Sequence, residues 1–280
     1  MGEPATGRRE ERRRVLMCPP TFYEITDDNP WAPKDAETDR DAAVEEWTRL
    51  KATYERLGHE VELLEARPDL TQMVFAANGA VAIERQAFVA RPKSEERAGE
   101  RSAHAEWFES AGYDVRLSEA TSEGEGDFLL TENFILAGTG FRTDQRAHFE
   151  AQQFFARPVV SLQLIQEKFY HLDTALCVLD GVTVAYYPDA FSPDSRRLLR
   201  RLFPDAIIAS DHDANQLGLN GWSDGHHVVI HHTAEQLADD LTAQGFEPVP
   251  IEMPQLQAGG GGPKCCTMGL FEQAPTHAVN

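Results

Sequence analysis

The 280-residue chain has only four cysteines, Cys18, Cys177, Cys265 and Cys266. That scarcity fits reduced thiols in a cytoplasm, and the adjacent pair is poorly placed to bond to itself. No run of about 18 apolar residues occurs, so no helix is expected to span a membrane. Basic residues are also scarce: 26 Lys and Arg face 46 Asp and Glu, for a net charge of −20. Such a surface excludes nucleic acid as a partner, because neutralising phosphates needs bases. It favours solubility and suits a cationic small molecule. Residues 1–14 are polar and arginine-rich and lack the apolar stretch of a signal peptide, so a disordered arm is expected there. The tight Cys/His spacings of zinc sites are missing too. His226, His227, His231 and His232 flank Val228-Val229-Ile230 and alternate to both faces of one strand. No metal and no cofactor is expected.

What the chain does have is Gly259-Gly260-Gly261-Gly262-Pro263-Lys264-Cys265-Cys266-Thr267. Four glycines let a backbone approach a ligand closely and take φ > 0 freely. A thiol beside Lys264 and free N–H groups would be pushed toward the thiolate. The same residues also fit a glycine turn followed by two small buried hydrophobes. With 41% apolar residues the chain can build a substantial core.

The rest of the chain repeats one grammar. Val15-Leu16-Met17-Cys18 reads as a buried strand. Residues 41–57 form a helix in which Val44, Trp47, Leu50, Tyr54 and Leu57 fall at helical spacing. Leu57-Gly58-His59-Glu60-Val61 is echoed by Ala111-Gly112-Tyr113-Asp114-Val115 and by Gln244-Gly245-Phe246-Glu247-Pro248. Each is a helix end, a glycine cap, an aromatic ring, an acid and a strand. Looser copies lead from helices near 145–156 and 194–202 to strands at Val159 and Ala206. Each unit also holds a strand pair, such as Met73–Ala76 with Ala87–Arg91, or Phe128–Leu130 with Phe134–Ala137. Strand starts near 61, 115, 159, 206 and 249 define a repeat architecture. Five such ββαβ units would close into a ring with the helices outside and the loops converging on the axis. Its loops deliver Asn78, Glu123 to Asp127, His171 with Asp173, Asn220 and Cys265 to one place. A single domain over residues 15–270 is expected, with a flexible tail at 271–280.

These segments carry a resemblance. Glu123-Gly124-Glu125-Gly126-Asp127, His171-Leu172-Asp173-Thr174 and the glycine run into Cys265 resemble the three signature segments of the guanidino-group-modifying superfamily. It includes arginine deiminases, dimethylargininases, amidinotransferases and arginine dihydrolases. The likeness covers about Val15 to Leu270 and is nearest to the bacterial dimethylargininases and arginine dihydrolases. It implies a five-bladed α/β propeller and a cofactor-free cysteine hydrolase of guanidino C–N bonds. By the same resemblance Cys265 is the nucleophile, His171 the general acid/base, and Glu123 and Asp173 hold the guanidinium. Arg142 and Arg97 would clamp a carboxylate, and Asn78, Asn29 and Asp127 would line the pocket. One residue is inserted relative to the commoner Glu-Gly-Gly-Asp, which puts Glu123 and Glu125 in competition. Asparagines at 78 and 29 are similar to the arginine dihydrolases, whereas deiminases carry aspartate at the first position.

The chemistry is coherent on its own terms. A planar cation with five N–H donors suits paired carboxylates, because charge-assisted bidentate bonds are strong. Its carbon is a poor electrophile, so a thiolate is the apt nucleophile. Histidine can protonate the departing amine and then deprotonate water. Alternatives are an amidinotransferase, with the same covalent intermediate, and a propeller-type binding protein without catalysis. Asp127 also fits a strand-end acid, Asn29 a turn before Pro30, and Arg97 a solvated charge run. The expected partner is a small guanidino compound, and a homo-oligomer is compatible with this reading.

Overall fold

The computed structural model describes Arg8 and residues 10–26, 29–33 and 36–273. Within them the chain repeats one unit: a pair of antiparallel strands, a helix, and a third strand parallel to the second. The elements run β1 Arg14–Met17, α1 Arg40–Arg56, β2 Glu60–Leu63, β3 Ala80–Ile83, β4 Gln86–Val89, α2 Glu100–Ser110 and β5 Asp114–Leu117. Then come β6 Phe128–Leu130, β7 Ile135–Thr139, α3 Gln145–Phe155, β8 Val159–Gln163, α4 Leu172–Ala175, β9 Leu176–Val178, β10 Val184–Tyr186, α5 Pro193–Leu202 and β11 Ile207–Ile208. The last are α6 Asp211–Asn215, β12 Trp222–Ser223, β13 His227–His231, α7 Glu235–Ala243, β14 Glu247–Ile251, α8 Pro254–Ala258 and β15 Met268–Phe271.

The last strand completes the first unit. β15 pairs antiparallel with β1, Val15 facing Gly269, while β2 pairs parallel to β1, Val15 facing Val61. Helical crossovers α1, α2, α3, α5 and α7 lead to the third strands, as parallel neighbours require. β15 also joins β3, so two units share a six-stranded sheet; the other three are three-stranded sheets. The fold is mixed α/β. No sheet closes on itself among the described strands. The first strands of the pairs are buried, whereas β2, β5 and β8 are largely accessible, so the core lies on the side of the first strands.

Local chemistry explains the elements. Asp39 caps α1 by accepting from the Ala42 N–H at 3.0 Å, with Asp41 in the first turn and Arg56 in the last. Gly58, Gly112 and Gly245 follow their helices at φ +86°, +77° and +82°. A Cβ at Gly58 or Gly245 would meet nothing, so conformation rather than space selects glycine. Two expectations change. Val44 is 42% exposed, and the buried face of α1 is Ala43, Glu46, Trp47, Leu50, Thr53 and Tyr54. Met73–Ala76 is not a strand. The hairpin is β3–β4, turned by Glu84 and Arg85 at φ 51° and 68°, and residues 76–79 wind into a 3₁₀ turn. That turn puts Asn78 on a loop instead of a ladder.

The expected arm lies mostly outside the described residues. Of it, Arg8 places its guanidinium 3.6 Å over the Phe246 ring, and the Glu11 N–H donates to Asp224 O at 3.0 Å. The expected tail is described as far as Glu272 and Gln273, and β15 extends to Phe271, one residue past the expected domain end. No described helix is long and apolar enough to cross a membrane.

Glu46 sets the approach to the glycine run. Buried on α1, it accepts from the N–H groups of Gln255 at 2.9 Å and Leu256 at 3.0 Å, the open donors at the start of α8. Glu46→Ala strands those donors and should lower stability by about 1–3 kcal/mol. Denaturant unfolding should show a lower midpoint with an unchanged slope.

Candidate active site

The loop after α8 is glycine-rich because other groups crowd it. A Cβ at Gly260 would lie 1.6 Å from Asn29 Nδ2, and one at Gly261 would lie 2.2 Å from the Phe75 ring. Gly260 also sits at φ +86°. Asn29 donates from Nδ2 to Gly259 O and accepts from the Trp31 N–H at 2.9 Å. Both ends of its amide are therefore engaged on backbone, and Asn29 braces the loop.

The loop delivers Cys265 to a buried polar pocket. Its thiol donates to Asp173 Oδ2 at 3.1 Å and accepts from Asn220 Nδ2 at 3.1 Å. Asn220 Oδ1 accepts from the N–H groups of Gly262 at 2.8 Å and Cys265 at 3.1 Å. One amide thus orients both the sulfur and its backbone. Burial and the neighbouring Asp173 carboxylate push the thiol well above the ordinary cysteine range. This corrects the expected activation by Lys264. The Lys264 ammonium is bound to Glu125 and to Thr267 O, and the loop N–H groups are occupied by Asn220 and backbone carbonyls. Burial also pushes the Cys266 thiol far above the ordinary cysteine range, so it remains an inert core thiol.

His171 stands at the start of α4. Its Nδ1 lies 3.2 Å from Asn78 Nδ2. With the amide donating, the neutral ring carries its proton on Nε2. That nitrogen is 3.7 Å from Glu123 Oε2, within ion-pair reach but too far for a hydrogen bond. Glu123 Oε1 accepts from the Lys93 N–H at 2.9 Å. Burial opposes ionisation of Glu123, yet His171, Arg97 and that N–H together lower its carboxyl to about 2. Gly126 leaves the space: a Cβ there would lie 2.5 Å from Asn78 Nδ2 and 3.3 Å from His171 Nδ1. His171 Nε2, Glu123 Oε2 and Asp173 Oδ1 are buried without a hydrogen-bond partner among the described residues. Two acceptor oxygens and a ring N–H are thereby left for a ligand.

The other candidates separate. Asp127 has both oxygens engaged, accepting from the Leu172 N–H at 2.9 Å and the Thr143 hydroxyl at 2.6 Å. It anchors α4 beneath His171, and burial raises it to about 6. Glu125 holds Lys264 and the Gly269 N–H on one oxygen and leaves its Oε1 without a hydrogen-bond partner among the described residues, so it is the 3.7 Å approach to His171 that sets Glu123 apart. Arg97 is buried with its fork on both oxygens of Glu100, at 3.0 and 2.7 Å. That pairing occupies the donors expected to grip a ligand carboxylate. Arg142 lies 4.7 Å over the Tyr170 ring, whose centroid is 4.2 Å from that of His171. Arg142, Tyr170, Lys93, Phe141 and Glu167 line a cleft of about 300 Å³ beside the histidine.

The family described as N,N dimethylarginine dimethylhydrolase, eukaryotic, matches residues 26–272. The chain belongs to this dimethylarginine dimethylaminohydrolase family. It is a hydrolase of guanidino carbon–nitrogen bonds. An N(G),N(G)-dimethylarginine dimethylaminohydrolase of Mycobacterium tuberculosis is 46% identical over 271 residues, covering 96% of this chain and 89% of that protein. The bifunctional arginine dihydrolase/ornithine cyclodeaminase AgrE of Nostoc is 34% identical over 93% of this chain, which spans only 38% of its length. The N-terminal domain of ArgZ, a cyanobacterial arginine dihydrolase, solved as a Cys→Ser variant with substrate bound, superposes at a TM-score of 0.90. It is 30% identical and covers 93% of this chain and 99% of that domain.

Asn220 is the residue whose role the sequence did not disclose. It recurs at the loop position of the repeat, but its grip on Cys265 depends on contacts 45 residues apart in the chain. Two outcomes follow from the geometry. Iodoacetamide should alkylate ligand-free Cys265 slowly at neutral pH. Because the raised thiol is protonated there, the rate should still climb about tenfold per pH unit past the free-cysteine range; a plateau near pH 8, read by mass spectrometry, would contradict this. Glu123→Gln should lower kcat on the order of 10²-fold in a fully folded protein. Glu125→Gln should chiefly lower the melting temperature.

Proposed function

We propose that the chain is an arginine dihydrolase, converting L-arginine and two waters to ornithine, carbon dioxide and two ammonia. The observation that carries this reading is the Asn78 amide beside His171. A carboxylate there would favour a guanidinium only. An amide is neutral and both donates and accepts, so it can also hold the neutral ureido group left after the first ammonia departs. The ArgZ domain with its substrate, and a cysteine-to-alanine variant of AgrE with L-arginine, are relatives that support it.

In this reading the guanidinium seats its N–H donors on Glu123 and Asp173, replacing the thiol as the partner of Asp173. The cation offsets the charge that raised the thiol, and Cys265 gives up its proton to His171, which becomes the imidazolium. The thiolate attacks the guanidino carbon and forms a C–S bond. His171 protonates the departing ammonia, which leaves a thiouronium on Cys265. His171 then takes a proton from water, the hydroxide attacks, and the C–S bond breaks to free a ureido group. A second attack on that carbon releases the second ammonia, and hydrolysis of the resulting thiocarbamate yields carbon dioxide and ornithine. Arg142 binds the α-carboxylate, and Asn220 keeps the sulfur aimed. Arg97 lends positive charge to Glu123 from behind.

The five repeats are read as the blades of one propeller, with β15, β3, β6, β9 and β12 around the axis and a single catalytic domain over 15–270. Four free thiols and a thiolate mechanism accord with a cytoplasmic location. A second reading is a dimethylargininase, releasing citrulline and dimethylamine, which the family match and the mycobacterial relative favour.

Mass spectrometry of the products decides, with L-arginine and asymmetric dimethylarginine supplied in parallel. Ornithine from arginine supports the dihydrolase; citrulline from the methylated substrate alone overturns it. Asn78→Asp should shift the arginine product from ornithine toward citrulline. Cys265→Ser should reduce turnover on the order of 10³-fold or more, whereas Cys266→Ser should keep it.

A further inference from the structure

The histidine-rich stretch at the start of β13 plays no part in the reaction. Its neighbours change how it reads. His226 precedes β13, so its ring does not alternate away from His227; the two ring centroids are 4.7 Å apart. The parallel register sets Glu247, the first residue of β14, directly across from His227. The Glu247 N–H also donates to His226 O at 2.9 Å, which pins the two strand starts together. Glu247 Oε2 lies 3.5 Å from His226 Nε2 and 4.0 Å from His227 Nε2. One ligand atom from each of the three residues falls within 4.8 Å of the others.

We infer that His226, His227 and Glu247 form a binding site for a borderline divalent transition metal of the Zn²⁺ type. Donors around such an ion stand about 3.4 Å apart when its bonds are 2.0–2.1 Å. The His226–Glu247 pair already meets that spacing, and the exposed Glu247 carboxylate needs only a rotamer change to bring the third donor in. Behind the site lies a carboxylate that orients a ligand histidine. Asp224 Oδ2 accepts from His227 Nδ1 at 2.8 Å, so the lone pair of His227 is on Nε2, toward Glu247. Asp224 is itself held by the N–H groups of His226 and His227 and lies 3.2 Å from His59 Nε2. Two imidazoles and one carboxylate select against Ca²⁺ and Mg²⁺, which prefer oxygen. Three protein donors leave the fourth position to water. The ion would tie β13 to β14 at the end where the N-terminal arm crosses Asp224.

The test uses the full chain with Cys265→Ser, which removes the reactive thiol as a rival ligand. Zn²⁺ titration by calorimetry should give one site per chain, and Co²⁺ should give the visible absorption of a four-coordinate ion. Glu247→Gln and His226→Gln lie at accessible positions and should each weaken binding at least about tenfold. Zn²⁺ should raise the melting temperature of the Cys265→Ser protein and not that of its Glu247→Gln derivative. No binding by the Cys265→Ser chain, or binding that both substitutions leave intact, overturns the site. The outcome is independent of which guanidino substrate the enzyme takes.

Discussion

Two buried carboxylates with too few donors hold the key to this molecule. Glu123 and Asp173 each leave one oxygen without a hydrogen-bond partner among the described residues, and His171 Nε2 beside Glu123 also lacks one. Leaving acceptors buried and unpaired costs stability, so such groups persist where a ligand completes them. A planar cation rich in N–H groups supplies what is missing at the pocket where the thiol lies. In the proposed function the site selects its substrate by the same deficit that costs the fold stability.

The thiol shows the other side of that constraint. In the ligand-free chain Cys265 is the donor in a hydrogen bond to Asp173, and burial keeps it protonated. The Asn220 amide favours the thiolate, but burial and Asp173 outweigh it, and Lys264 is engaged by Glu125. In the proposed mechanism activation comes with the substrate's own charge. In that mechanism the nucleophile is armed by its substrate and is shielded from other electrophiles in the interim.

Around this pocket most of the polar side chains are braces. Asn29 holds the glycine loop, Asn220 holds the sulfur and two N–H groups, Asp127 holds the helix that starts at His171, and Glu46 holds α8. Each comes from a different repeat or loop, so the geometry depends on how the units pack and less on any one of them. Glycines at 126, 260 and 261 provide the clearances those braces need.

Much of this was legible from the chain alone. The helix-glycine-ring-acid-strand echo located three of the five third strands, β2, β5 and β14, because a left-handed cap after a helix favours glycine, whereas α3 ends on Ala156 at φ 50° and α5 on Phe203, which carry no such mark. The glycine run, His171 with Asp173, and the acids at 123 to 127 marked the pocket, since a guanidinium demands those groups. The sequence could not rank Glu123 against Glu125, or tell that Asn29 faces backbone, Asp127 the Leu172 N–H and the Thr143 hydroxyl, and Arg97 the Glu100 carboxylate. Nor could it show that Glu247 stands across from His227. Residue type and local spacing follow from the needs of a turn or a ligand, and those are local. Which partner a buried polar atom finds is decided by strand register and by the packing of units distant in the chain, and only the tertiary structure contains that.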